Sequence, residues 1–401
     1  MNKLLKYLLL FGPGWIVMIA DVDSPSVITA LVSGASFGLS FIWVMLILII
    51  PLYFVQESVA RIGIATKKGF INIVKENYSK SQIKILTIIF SIINVIGFVG
   101  EFAGISFALS FFGIPIIISL IFVIIFHTIL VLRGSYKKVE NSLLFITLLL
   151  FAFIVISFLV KPSFKILDTI LSFNSIFSYS YLSLIVANIG AVIMPWMIFY
   201  QEYAVIDKNL KKEDLEIERK ETLIGAIVSQ ILMISIIYTS TILFYPAKDF
   251  NISVSNFITV FNKAKLAIFP YLFSIGIVGA GFLSGVVISL SSAWSMADLL
   301  DLPGSLNLHV KKAKFFYTIY FIEIIPASII ILLYPKFIDV MVDSMIINTI
   351  LLPIPLYYTI EISSNEKIMG ELANSKRRKY MLWIIFISIN MSIIFMLLSI
   401  I

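Results

Sequence analysis

The chain of 401 residues contains no cysteine, which excludes disulfides, thiolate metal sites and cysteine nucleophiles. It has two histidines, His127 and His309, too few for a histidine-rich metal centre. Charge is also scarce. Asp, Glu, Lys and Arg make up 13% of the chain, against about a quarter in a soluble domain. A zinc-protease histidine pair, a serine with a usable histidine and a phosphate-binding glycine loop are all missing, so an enzyme is not expected. The charged stretch Asp207–Glu221 mixes both signs and reads as a solvated loop, not a nucleic-acid patch.

What is present in excess is apolar side chain. Hydrophobic residues make up 60% of the chain. Mean hydropathy is +1.04, the signature of an all-α polytopic protein lying in a lipid bilayer. A spanning helix needs about 20 apolar residues. Eleven segments qualify: 10–35, 40–62, 84–111, 114–132, 142–160, 180–204, 222–245, 266–296, 315–334, 342–362 and 380–400. Their connections are short, so residues 1–401 read as a single transmembrane domain. With the N-terminus inside, cytoplasmic connections collect Lys3 and Lys6, the groups Arg61 to Lys84, Arg133 to Lys138 and Lys208 to Lys220, then Lys311 to Lys314 and Lys367 to Lys379. Lys161, Lys165, Lys248, Lys263, Lys265 and Lys336 fall outside. A split of 24 to 6 is a positive-inside pattern that one missed span would scramble. A multi-pass cell-membrane protein is expected, with N-terminus cytoplasmic, C-terminus outside and a monomeric state.

Two of the eleven segments are interrupted. The first holds Asp21-Val22-Asp23-Ser24-Pro25-Ser26, and the sixth holds Asn188 through Trp196, with Gly190 and Pro195. Charge at bilayer depth is costly and marks a functional site by default. Proline removes a backbone donor and clashes with the preceding turn, freeing carbonyls. If residues 10–160 and 180–362 are two inverted halves of five spans, with 380–400 an extra helix, the two prolines occupy equivalent positions. Matched interrupted helices point to a substrate site at the midplane. Asp23 offers carboxylate oxygen, Ser26 a hydroxyl, an unwound Ala191 a carbonyl and Met194 a thioether. Oxygen ligands suit Mg, Ca or Mn, and a thioether tilts the set toward softer transition metals. No resident cofactor is expected, and a divalent cation is the expected cargo. A lone mid-span proline is usually a kink and a lone methionine usually packing. The coincidence of both with Asp23 outweighs those readings.

These residues resemble the natural resistance-associated macrophage protein (Nramp) family of divalent-metal transporters. Gly12-Pro13-Gly14 opens the first span as in that family, and Asp23-Ser24-Pro25-Ser26 aligns on its Asp-Pro-Gly-Asn motif. Phe37-Gly38-Leu39-Ser40 with Trp43, Gln56 through Thr66, Glu101 with Gly104, Met194-Pro195-Trp196 and Ser364 through Gly370 follow in family order. The resemblance implies the inverted-repeat, leucine-transporter-like fold with broken helices one and six, and metal bound at the positions of Asp23, Ser26, Ala191 and Met194, of which Ser26 stands where the family has Asn.

The departures bear on protons. The family's span-six histidines fall on Trp196 and Gln201, its second span-three acid on Phe98, and its span-ten Gln near Met345. Histidine can relay protons near neutral pH and tryptophan cannot, so weak or altered proton coupling is expected. Trp196 is similar to the family's magnesium-transporting branch, but that branch is expected to lose the methionine kept here. Asp21, Glu101, Trp196 and Gln201 form the candidate gating or proton path. Asp21 and Asp23, two apart, share a site only if the helix unwinds. Glu57 and Arg61 are spaced to pair, His127 reads as a buried structural histidine, and Asn94 and Gln230 as interhelical partners. The competing reading is a transporter of the same fold for a small organic solute such as an amino acid, or a relative that no longer binds metal.

Overall fold

The computed structural model describes residues 12–132, 135–161, 167–172, 176–246, 257, 259–260 and 268–400. Lys3, Lys6, Arg133, Lys165, Lys248, Lys263 and Lys265 lie outside the described residues, as do the first residues of the segments expected at 10–35 and 266–296. Among the described residues the chain is helical and has no strand.

The first segment yields α1 (Pro13–Ala20) and α2 (Ser24–Phe37), and the second α3 (Ile42–Thr66), followed by a short α4 (Phe70–Asn77). Then come α5 (Lys80–Ser110) and α6 (Ile116–Val131), with the fifth segment split into α7 (Tyr136–Leu150) and α8 (Ala152–Leu159). The sixth is α9 (Tyr179–Val192) and α10 (Pro195–Asp207), followed by α11 (Leu215–Phe244) and α12 (Phe269–Leu299). The ninth is α13 (Lys314–Ile322) and α14 (Ile324–Leu333), and the tenth α15 (Phe337–Leu351) and α16 (Pro353–Ser363). A single turn, α17 (Glu366–Met369), precedes α18 (Lys376–Leu398). Nine helical runs among the described residues are long and apolar enough to cross a membrane, and Ile116–Val131 is shorter. One of the nine, Ser24–Thr66, has 43 residues. At 1.5 Å per residue it would reach about 65 Å, twice the roughly 30 Å hydrocarbon core. The run is broken at Gly38, whose φ of 66° favours glycine and which opens a short 3-10 turn before α3.

Layering follows burial. The most apolar stretches of Tyr179–Asp207 and Phe269–Leu299 are 83% buried, while that of Lys376–Leu398 is 22% buried. A helix apolar on all sides belongs inside a bundle, so α9, α10 and α12 form the interior and α18 the margin. Around them α2 packs on α11 and α15, α9 on α15, and α5 on α12 and α15. Two glycines permit close approaches next to the interrupted segments. A Cβ at Gly100 on α5 would lie 2.5 Å from Pro25 Cγ, and one at Gly190 on α9 would run into the Met345 carbonyl of α15.

One expectation is corrected here. The stretch Asp207–Glu221 is not solvated throughout. Helix α11 begins at Leu215, and Glu218 and Glu221 on it are each 2% exposed. Alternating signs in one dimension did not show which side of the new helix meets the bundle.

Candidate metal centre

The first break spans three residues. α1 ends at Ala20, Asp21 caps its C-terminus, and α2 starts again at Ser24 with Pro25 in its first turn. Proline fits there because its missing N–H is not needed and its φ is already helical. The proline therefore opens a second helix and does not merely kink one. Asp23 is the N-cap, its Oδ1 accepting the Ser26 N–H at 2.7 Å, the bond that opens a helix best. The loosened turn is held by neighbours. Ser284 Oγ on α12 donates to the Ala20 carbonyl at 2.7 Å. The Ser24 N–H donates to Glu101 Oε2 at 3.2 Å, and Ser24 Oγ donates to the Ile277 carbonyl. Glu101 thus reaches the first break through the residue next to Asp23, and its Oε1 has no partner among the described residues.

Asp21 is also buried, but it looks elsewhere. Its Oδ2 accepts from Gln230 Nε2 on α11 at 3.3 Å, and Oδ1 has no partner among the described residues. The break thus commits Asp23 to the start of α2 and turns Asp21 toward α11. Gln230 is the interhelical partner its position suggested, whereas neither side-chain amide atom of Asn94 has a partner among the described residues.

The second break is barer. α9 ends at Val192, Ile193 leaves the helix, and Met194 is the N-cap of α10 with Pro195 next. No side chain caps α10. Met194 and Trp196 are both fully buried, so each faces protein and not lipid. The Trp196 indole N–H has no partner among the described residues. One contact joins the two breaks: Ser26 Oγ donates to the Ala191 carbonyl at 2.9 Å. The same hydroxyl lies 3.7 Å from Met345 Sδ on α15. Asp23, Ala191 and Met345 are therefore joined through Ser26, Glu101 reaches the break at Ser24, and Met194 lies three residues past Ala191.

Gln201 belongs to a different cluster. It lies seven residues beyond Met194 on α10, and its Nε2 donates to Glu218 Oε1 at 2.5 Å. Glu221 Oε1 accepts the Gly12 and Trp15 N–H groups at 2.5 and 2.7 Å, tying the start of α1 to α11. Glu140 on α7 pairs with Lys208 at 2.7 Å beside them. Sequence reasoning missed this cluster and Ser284. Serine gives no sequence signal in a helix, and Glu218 and Glu221 looked like surface charge. His127 is buried with Nδ1 3.3 Å from Tyr320 Oη, a structural histidine as read. Glu57 and Arg61 pair at 3.2 Å.

Two half-helices opening at prolines inside a bundle of apolar helices are the features of a multi-pass membrane protein, and the family that matches it is one of transporters. The chain belongs to the Nramp family: the family model described as natural resistance-associated macrophage protein-like matches residues 14–399. The divalent metal cation transporter MntH of Staphylococcus haemolyticus is 24% identical over 402 residues, covering 92% of this chain and 87% of that protein. MntH of Bacillus subtilis is 25% identical over 395 residues, covering 93% and 88%. Among solved structures, the Eremococcus coleocola manganese transporter in complex with an aromatic bis-isothiourea substituted compound superimposes with a TM-score of 0.79. It is 17% identical and covers 100% of this chain and 87% of that one. MhsT in complex with L-phenylalanine superimposes at 0.62 with 14% identity, covering 96% and 98%.

Proposed function

We propose that this chain is a secondary transporter that moves divalent metal cations of the Mn or Fe class by alternating access. In this reading eleven spans form two inverted five-helix repeats, 10–160 and 180–362, with 380–400 added, and the N-terminus is cytoplasmic. The cargo sits where the breaks meet, held by Asp23, Ser26, the Ala191 carbonyl and Met194. The observation that carries it is the Ser26–Ala191 bond, which brings the two breaks together beside the Asp23 carboxylate. The family and the names of its MntH relatives support a metal as the cargo.

The ligand chemistry supports an ordering. Ser26 touches both an oxygen and a sulfur, and Met345 adds a second thioether to that of Met194. Thioethers favour softer ions, while magnesium prefers oxygen and keeps its waters. Mn, Fe and Cd are therefore favoured over Mg. Proton coupling is weak or altered, because Trp196 and Phe98 replace titratable groups; Glu101 and Asp21 are the remaining acids near the first break, Trp196 follows the second, and Gln201 would extend the path only through its bond to Glu218.

The test is metal uptake into liposomes with internal pH recorded, for the wild type and Asp23→Ala. Uptake of Mn or Cd that Asp23→Ala abolishes supports the proposal, and uptake without acidification supports uncoupling. No response to Mn, Fe, Cd or Mg ends it. The fold shared with MhsT keeps an amino acid as the rival cargo. Two buried carboxylates at one break disfavour an anionic solute, and competition between metals and amino acids in a thermal-shift assay separates the two.

A further inference from the structure

A second group of charges lies far from the breaks in sequence, at the end of α3. Glu57 Oε1 accepts three guanidinium nitrogens: Arg61 Nε at 3.2 Å, Arg219 Nε of α11 at 2.7 Å and Arg378 Nη1 of α18 at 2.9 Å. One carboxylate thus faces three cations, an excess of two positive charges. Arg61 is buried, and its other nitrogens are committed to Ser58, the Leu372 carbonyl and Asn374. Arg219 and Arg378 are different. Their side chains are 36% and 25% exposed, and among the described contacts each spends one nitrogen on Glu57. A guanidinium carries five N–H donors in a fork that matches phosphate, so both keep donors for an outside anion. Arg378 also belongs to the run Lys376-Arg377-Arg378-Lys379 in the first turn of α18. Four basic residues beside a spanning helix are an anionic-lipid signature.

A second, independent feature continues from these arginines. A groove of about 390 Å³ runs between α3, α9 and α18, its walls including Ile47, Pro51, Ile189, Met381, Ile385 and Ser388. Met381 lies one turn beyond Arg378 and Ile385 two turns, so the groove is on the same side of α18 as the arginine. From Met381 to Ser392 it follows α18 over twelve residues, eleven helical steps. That is about 16 Å of helix, close to one leaflet of a hydrocarbon core about 30 Å thick. A cationic end and an apolar channel one leaflet deep match the two parts of a lipid.

We propose that an anionic phospholipid binds here, with its phosphate on Arg219 and Arg378 and an acyl chain in the groove between α3, α9 and α18. The bound lipid fastens α18 to α3 and α11. The site requires only that the chain spans a bilayer and stands whichever cargo is carried.

The experiment is native mass spectrometry of the detergent-purified full chain, titrated with dioleoylphosphatidylglycerol or dioleoylphosphatidylcholine, with thermal unfolding in parallel. The wild type is expected to retain one phosphatidylglycerol in preference to phosphatidylcholine and to melt higher with it. Arg219→Gln/Arg378→Gln should lower phosphatidylglycerol affinity about thirtyfold, the effect of two basic residues near an anionic surface, and leave phosphatidylcholine unchanged. Ile385→Trp, or Ser388→Phe if that variant does not fold, should displace the lipid by filling the groove while the arginines remain. Equal retention of both lipids by the wild type overturns the proposal, as does unchanged preference in the double arginine variant. Stabilisation by inorganic phosphate equal to that by phosphatidylglycerol also overturns it, because the groove would then contribute nothing. A dimer peak with no bound lipid assigns the face to a second copy of the chain and overturns it too.

Discussion

The two breaks share a proline and little else. At the first, protein groups take up the loosened backbone: Asp23 caps α2, Ser284 holds the Ala20 carbonyl and Glu101 holds the Ser24 N–H. At the second, α10 has no side-chain cap, and the one side chain recorded on the Ala191 carbonyl is Ser26, from the other break. Unmet hydrogen bonds at buried helix ends are costly. A break closed by its own neighbours holds its shape without cargo. A break left bare is one that a cation can complete. Under the proposed function, the first region would be the fixed half of the site, carrying hard oxygen, and the second the half whose carbonyl and thioether a metal would complete.

The largest expected effect breaks this comparison at Asp23. Asn caps a helix as well as Asp does but carries no charge. Asp23→Asn should therefore keep the unfolding midpoint of the metal-free wild type and lose the upward shift with Mn or Cd. Asp23→Ala should lose the metal shift and also about 1 kcal/mol of cap. Thermal unfolding with and without chelator reads both. Equal metal shifts in Asp23→Asn and wild type would mean that the first break supplies no ligand charge.

Next come the thioethers. Met194→Leu and Met345→Leu keep side-chain volume and remove sulfur. Each should weaken Cd binding about tenfold or more, in the range for disturbed metal shells, while Mn binding falls less. Isothermal titration with both ions checks this. A ratio of Cd to Mn affinity that neither substitution moves would remove sulfur from the site.

Gly100→Val tests how the first break is seated. Its Cβ would press on the Pro25 ring, and overpacking of this kind costs about 1–3 kcal/mol. A lower unfolding midpoint is expected, with the metal shift retained in whatever fraction folds. The smallest effect is expected at Ser284→Ala, which leaves the Ala20 carbonyl without its donor and costs about 1 kcal/mol. A neutral result there would show that the first break is less tightly held than the contacts suggest.

Much of the site was legible in the residue order. Pro25 and Pro195, each in an apolar segment with a polar or sulfur neighbour, marked both breaks, and the structure sets both prolines in the first turn of a new helix. Met345, near which the family's span-ten Gln aligns, lies against Ser26 in the structure. Three things were not legible. Asp21 and Asp23 could share a site if the helix unwinds, yet where it does unwind Asp21 turns to Gln230 of α11 while Asp23 caps α2. Gln201 was grouped with Trp196, but it bonds Glu218 in a separate cluster. Asp207–Glu221 read as solvated, yet Glu218 and Glu221 are buried.

By itself the residue order determined that this chain is a bundle of apolar helices with two interruptions rich in ligand groups. Apolar run length and proline act locally, so their consequences need no knowledge of neighbours. Only the tertiary structure decided which interrupted turns meet, which way each aspartate faces and which charges are buried. Those outcomes depend on contacts such as Ser26 to Ala191, 165 positions apart, and a carboxylate's surroundings are set by whichever helices pack around it.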